Sequence, residues 1–179
     1  ACRRMQAGHG QRQRGLDLAG DRGVVERAFG LERDHGGVGI VAQPRLVELH
    51  DGRLTIHLQV THRGETPIWH GLGLHPYFPR TPHTRLQAAA EQVWHCDANS
   101  LPTGLDDLPH HWDFTAEREL PAVHTDNAFI GWNGQARIVE PDAGYSLEIG
   151  SDQGIYLLFC PEGKPFFCFE PVSHPVNAH

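Results

Sequence analysis

The feature that most constrains this chain is the strict alternation from Leu54 to Thr61. Leu54, Ile56, Leu58 and Val60 fall on one side of an extended chain, and Thr55, His57, Gln59 and Thr61 on the other. A two-residue apolar period cannot be satisfied by a helix, so it predicts a strand with one buried and one wet face. The run 45–49 joins this strand through Asp51-Gly52, a strong short hairpin signal. Further short apolar runs at 68–74, 84–89, 92–96, 128–132, 136–139, 146–149, 155–160 and 166–170 read as strands. Turn residues separate them: Asn133-Gly134, Asp142 to Gly144, Asp152 to Gly154 and Pro161 to Gly163. Many short strands divided by such turns indicate an all-β antiparallel sandwich or barrel.

The chain divides near residue 40. Residues 1–39 are rich in Arg, Gly and Gln, lack a sustained apolar period, and are expected to be irregular or poorly ordered, with at most a short helix over 24–31. Residues 40–179 form the β domain. At 179 residues one domain is the natural reading, although single β-sandwich domains often need more length.

Charge and cysteine usage exclude several classes. A formal net charge of −7 argues against a nucleic-acid surface. The cysteines, Cys2, Cys96, Cys160 and Cys168, form no C-x-x-C pair, so they read as reduced thiols of a cytoplasmic protein. No apolar run follows the basic residues 1–14, and no stretch approaches the roughly 18 apolar residues of a membrane span, so neither a signal peptide nor a membrane partner is expected. Fourteen histidines make the charge strongly pH-dependent, but they are scattered, without ligand spacing on a strand, and no metal site is expected.

Three clusters could carry chemistry. His75 ends an apolar run and precedes Pro76, which holds it extended and projects its ring from a strand rim. Taken alone, the pattern fits a hydrogen-bonded structural histidine better. Asp126 sits in His124-Thr125-Asp126-Asn127, which alone reads as turn chemistry. Glu170 closes the intensely apolar run from Phe166 and precedes Pro171. A carboxylate there is expected to be partly desolvated, with a raised pKa, and so to be a better base.

Taken together and in this order, the clusters resemble those of the aldose 1-epimerase (galactose mutarotase) family. GLGLHPYFPR is similar to the segment carrying the general-acid histidine, which maps onto His75. HTDNAFIGW is similar to the segment whose aspartate contacts sugar hydroxyls, which maps onto Asp126. FFCFEPVSHPVNA is similar to the segment carrying the catalytic glutamate, which maps onto Glu170. The resemblance covers roughly residues 40 to 178 and implies a mutarotase-like antiparallel β-sandwich, an open sugar cleft and no cofactor. Tyr77, Trp69 and Trp132 are candidates for contact with a sugar face, Tyr77 first among them, and all three fit a core equally well. His75 and Glu170 are expected to face one another across about the width of a pyranose ring.

Family members are longer, and their N-terminal part supplies an Asn and a His near the sugar that residues 1–37 do not match. The expectation is a truncated member, lacking the N-terminal strands and the extreme C-terminus. Other readings are a non-catalytic carbohydrate-binding module, an inactive fragment that forms homo-oligomers through exposed sheet edges, and a hexose-6-phosphate 1-epimerase. The last would want basic residues at the cleft, and Arg80 and Arg85 are the ones close to the His75 motif.

Overall fold

A computed structural model describes residues 31–33 and 40–176, with side chains from residue 48 onward. The described residues form thirteen strands and one 3-10 turn, His110–Trp112. All strand pairs are antiparallel, in three sheets.

The first sheet joins β1 (Leu31–Arg33), β2 (Ile40–His50) and β3 (Arg53–His62) in that order. Its hairpin turns where expected. His50 pairs with Arg53, and both Asp51 (φ 48°) and Gly52 (φ 72°) take the left-handed backbone of a two-residue type I′ turn. Two features depart from the sequence reading. β1 lies inside the stretch expected to be irregular; the rest of that stretch, the helix over 24–31 included, falls outside the described residues except for Leu31, which is in β1. The apolar face of β3 is also less covered than its alternation implies, since Leu54 is 55% and Ile56 36% exposed. Alternation reports which side chains share a face, not whether another layer lies over it.

The sandwich proper follows. One sheet has four strands in the order β11 (Tyr145–Gly150), β10 (Gln135–Glu140), β5 (Arg85–Ala88), β8 (Phe114–Glu119). The other has six, in the order β4 (Tyr77–Pro79), β13 (Phe166–Val172), β12 (Ile155–Cys160), β9 (Thr125–Ile130), β6 (Gln92–Cys96), β7 (Pro102–Asp107). Leu86, Phe114, Ala136 and Ile138 of the four-stranded sheet bury against Val93, Phe129, Tyr156, Leu158, Phe167 and Phe169 of the six-stranded one. The expected all-β antiparallel sandwich is therefore the architecture.

The expected strand at 68–74 is absent as a strand: only Gly73 makes an isolated bridge, to Val172, and Trp69 is wholly exposed. Pro67, Gly71, Gly73 and Pro76 interrupt any regular ladder there. Conversely, β7 and β8 have no counterpart among the expected strands. Both are edge strands, and their sequences, PTGLDD and FTAERE, carry the polar residues that solvated edges tolerate.

A buried polar knot ties β5 to β10. Thr84 and Glu140 are each 1% exposed, and the Thr84 hydroxyl donates to Glu140 Oε1 while accepting the Thr81 N–H at 2.7 Å. Thr84→Val keeps the shape but removes the hydroxyl. It is expected to cost about 1–3 kcal/mol, the usual penalty for stranding buried polar partners, whereas Thr84→Ser retains most of the stability. Urea unfolding with an unchanged slope measures both; a Val variant as stable as the natural chain would remove the knot from the account.

Candidate active site

Strand alternation sorts β13 into two faces. Phe167 and Phe169 enter the core, so Cys168 and Glu170 point to the outer face of the six-stranded sheet. Register then extends that face in rows. Glu170 lies opposite Leu157, which lies opposite Ala128, which lies opposite Trp94. One row along, Tyr77, Cys168, Phe159 and Asp126 follow one another across β4, β13, β12 and β9. Glu170, Tyr77 and Asp126 therefore share one face, on which Tyr77 is exposed while Glu170 and Cys168 are buried.

His75 joins them through the loop before β4. This loop is fastened to the chain after Glu170: Leu74 N donates to Pro171 O at 3.2 Å, Ser173 N to Leu72 O at 2.8 Å, and Leu72 N to the Ser173 hydroxyl at 2.8 Å. The approach is close enough that a Cβ on Gly73 would sit 2.8 Å from Val172 Cγ1. Glycine is thus required for packing at this position. The loop carries His75 to Glu170, with Nδ1 and Oε1 3.3 Å apart. The expected ring-width gap is not present. The two side chains touch, although the His75 side chain is 55% exposed and has room to swing away. Tyr77 stacks on the imidazole, nearly parallel (4°), with ring centroids 4.9 Å apart.

The electrostatics of the face favour a base. Burial, reinforced by the nearby Asp126 carboxylate, pushes the Glu170 carboxyl up to about 7. That is the desolvation expected from its place in the sequence. Asp126 accepts a hydrogen bond from the Ser100 hydroxyl at 3.3 Å. Ser100 does so from the left-handed backbone region (φ 59°), in a turn where the Asp97 carboxylate accepts the N–H groups of Asn99 and Leu101. A non-glycine residue held there costs about 1–3 kcal/mol, and such residues cluster at functional sites.

The structure thus brings together His75, Glu170, Asp126 and Tyr77, and sets Trp132 elsewhere. Trp132 is 4% exposed in the core, with its indole N–H donating to Gln135 O at 2.7 Å. The arginines weighed for a phosphate are committed elsewhere: Arg80 donates to the carbonyls of Pro121 and Pro161, and Arg85 pairs with Glu117 at 3.3 Å. Sequence reasoning missed Ser100 and Cys168. The signal for Cys168 was its two-residue spacing from Glu170 on a strand; Ser100 is reached only through the tertiary fold. Cys96, Cys160 and Cys168 are free thiols, as expected, and Cys2 lies outside the described residues. No helix among the described residues is long and apolar enough to cross a membrane.

The sandwich thus sets a carboxylate raised to about 7 against a histidine on the outer face of its six-stranded sheet. The chain belongs to the aldose 1-epimerase family, whose model matches residues 46–179. It is 37% identical over 137 residues to the uncharacterized protein YphB of Escherichia coli K12, a match spanning 70% of this chain and 47% of that protein. A crystal structure from Escherichia coli K12, described provisionally as an aldose 1-epimerase, superimposes with a TM-score of 0.77 at 34% identity, covering 84% of this chain and 55% of the other. The Slr1438 protein of Synechocystis sp. PCC 6803 shares the fold, with a TM-score of 0.56 at 20% identity over 84% of this chain and 57% of its own. The chain thus spans about half the length of these relatives.

Proposed function

We propose that this chain interconverts the α and β anomers of an aldohexose such as galactose or glucose, with Glu170 as base and His75 as acid. The observation that carries the reading is the contact between His75 Nδ1 and Glu170 Oε1 at 3.3 Å, on a face that also holds Asp126 and Tyr77. Ring opening needs two proton transfers at different oxygens of one sugar. The ionised Glu170 takes the proton of the anomeric hydroxyl as protonated His75 gives its own to the ring oxygen. The bond from C1 to the ring oxygen breaks, and C1 becomes an aldehyde. Rotation about the C1–C2 bond and reclosure, with both protons returned, yields the other anomer. No net redox change occurs.

The remaining residues orient the sugar. A carboxylate accepts two or more hydrogen bonds, which suits Asp126 to sugar hydroxyls, and Tyr77 offers an aromatic surface to an apolar sugar face. Without sugar, His75 Nδ1 and Glu170 Oε1 lie 3.3 Å apart; with sugar, the ring comes between them, and the exposed imidazole moves aside. Arg80 and Arg85 lie in other contacts, which favours an unphosphorylated aldose over a hexose 6-phosphate. A cytoplasmic location is part of the same proposal and fits the free thiols.

Polarimetry on freshly dissolved α-galactose or α-glucose tests the reading. Because the base must be ionised while the acid stays protonated, the catalysed rate is expected to follow a bell-shaped pH profile whose rising limb reports Glu170, at about 7. Mutarotation no faster than in buffer at every pH would remove the catalytic reading.

A further inference from the structure

We propose that His75 Nδ1, Cys168 Sγ and a Glu170 carboxylate oxygen form a binding site for a borderline-soft divalent cation, best matched by Zn²⁺, and that its occupation shuts off the acid/base pair. These three donor atoms lie within 4.8 Å of one another. Their convergence follows from the fold. Cys168 and Glu170 stand two residues apart on β13 and so share a face, while the fastened loop before β4 delivers His75 to the same spot.

The donor set selects the metal. Nitrogen, sulfur and carboxylate oxygen together suit Zn²⁺, which binds them at about 2.0–2.3 Å in a tetrahedron. Such bonds put donors about 3.3–3.7 Å apart, so the widest pair needs to close by up to about 1.5 Å around the ion. The exposed His75 ring can supply that movement. Water takes the fourth position on the open side. Mg²⁺ and Ca²⁺ prefer six or more oxygens and find one carboxylate here. Asp126, close enough to act on both Cys168 and Glu170, adds negative charge to the surroundings. On binding, the thiol proton passes to solvent and the sulfur coordinates as thiolate. A metal held this way occupies the base and removes the imidazole from the ring oxygen. The inhibition therefore rests on the epimerase reading, whereas the binding does not.

Co²⁺ titration of the whole chain reads the binding without any activity. One Co²⁺ per chain is expected, with a near-ultraviolet thiolate-to-Co²⁺ charge-transfer band that Zn²⁺ displaces. The band should vanish in Cys168→Ser and persist in Cys2→Ser and Cys96→Ser, which excludes those two thiols as its source. His75→Ala, at an exposed side chain that leaves folding alone, should weaken Zn²⁺ binding at least about 100-fold. Absence of the band in the natural chain, or its survival in Cys168→Ser, overturns the site. In the polarimetric arm, Zn²⁺ should suppress mutarotation and a chelator restore it, with Cys168→Ser losing sensitivity. Mutarotation indifferent to saturating Zn²⁺ would overturn the blocking role. A Co²⁺ band in a chain that never accelerates mutarotation would uphold the metal site and sink the enzymatic reading instead.

Discussion

Replacing Glu170 by glutamine is expected to lower the catalysed rate of anomer exchange by about 10²–10⁴-fold while leaving sugar affinity nearly unchanged. Glutamine keeps the size and part of the hydrogen bonding but cannot take a proton. The loss should therefore fall on kcat rather than on KM. Folding gives an independent check, because the same substitution should stabilise the chain in alkali. The folded Glu170 carboxyl sits at about 7 against an ordinary 4.5, so the fold prefers its neutral form. Its favourable contribution is complete below about pH 4.5 and is lost as pH rises through about 7, a difference of about 3 kcal/mol at 1.36 kcal/mol per pKa unit. Glutamine is neutral at every pH and escapes that loss. At pH 8 the variant should be more stable by about 2–3 kcal/mol, and at pH 4 it should match the natural chain. A variant both slower and more stable cannot owe its slowness to unfolding. Polarimetry and urea unfolding on the same preparation decide it: an unchanged rate would mean that another residue is the base, and an unchanged alkaline stability would mean that Glu170 is better solvated than its surroundings imply.

How much of this was legible depends on whether a residue's role is set locally or by what the chain meets in space. β12 was legible at its observed bounds, Ile155–Cys160, because a short unbroken run of apolar residues between glycine- and proline-containing turns reads as a buried strand. The Asp51-Gly52 hairpin was legible because only a few residues accept left-handed backbone at both turn positions. Glu170 was legible as a desolvated carboxylate from the apolar run before it. The exposure of Leu54 and Ile56 was not, since a period reveals a shared face but not its cover. β7 and β8 were hidden by polar edge sequences, and 68–74 passed for a strand because its apolar residues outweighed its glycines. Cys168 lay in plain view two residues from Glu170, yet its partner His75 is far away in sequence. Only the pairing of residues 72–79 with β13 and the chain just after it brings them together.

Tyr156→Ala is expected to cost about 3–5 kcal/mol, a large share of the 5–15 kcal/mol that holds a typical domain together. Tyr156 is wholly buried and sits at the centre of the sandwich core. Its ring stacks on Phe129 at 4.8 Å and on Phe169 at 4.5 Å, and meets Trp132 edge-on at 5.6 Å. Truncation to alanine removes all three contacts at once and leaves a cavity bounded by two stiff sheets, which can collapse only in part. Tyr156→Phe separates packing from polarity. It loses only the long hydroxyl bond to Ala88 O, 3.4 Å, and should cost no more than about 1 kcal/mol. Unfolding followed by tryptophan fluorescence suits both variants, because Trp132 lies against the site of change. The consequences should reach the opposite face of the sheet. Phe169 packs on Tyr156 and stands between Cys168 and Glu170 on β13, so the core sets the position of Glu170 through one strand. Under conditions where Tyr156→Ala remains folded, its catalysed rate should fall further than that of Tyr156→Phe, as small misplacements of a catalytic group are costly. Alanine and phenylalanine variants of equal stability would show that this aromatic stack does not hold the sandwich together.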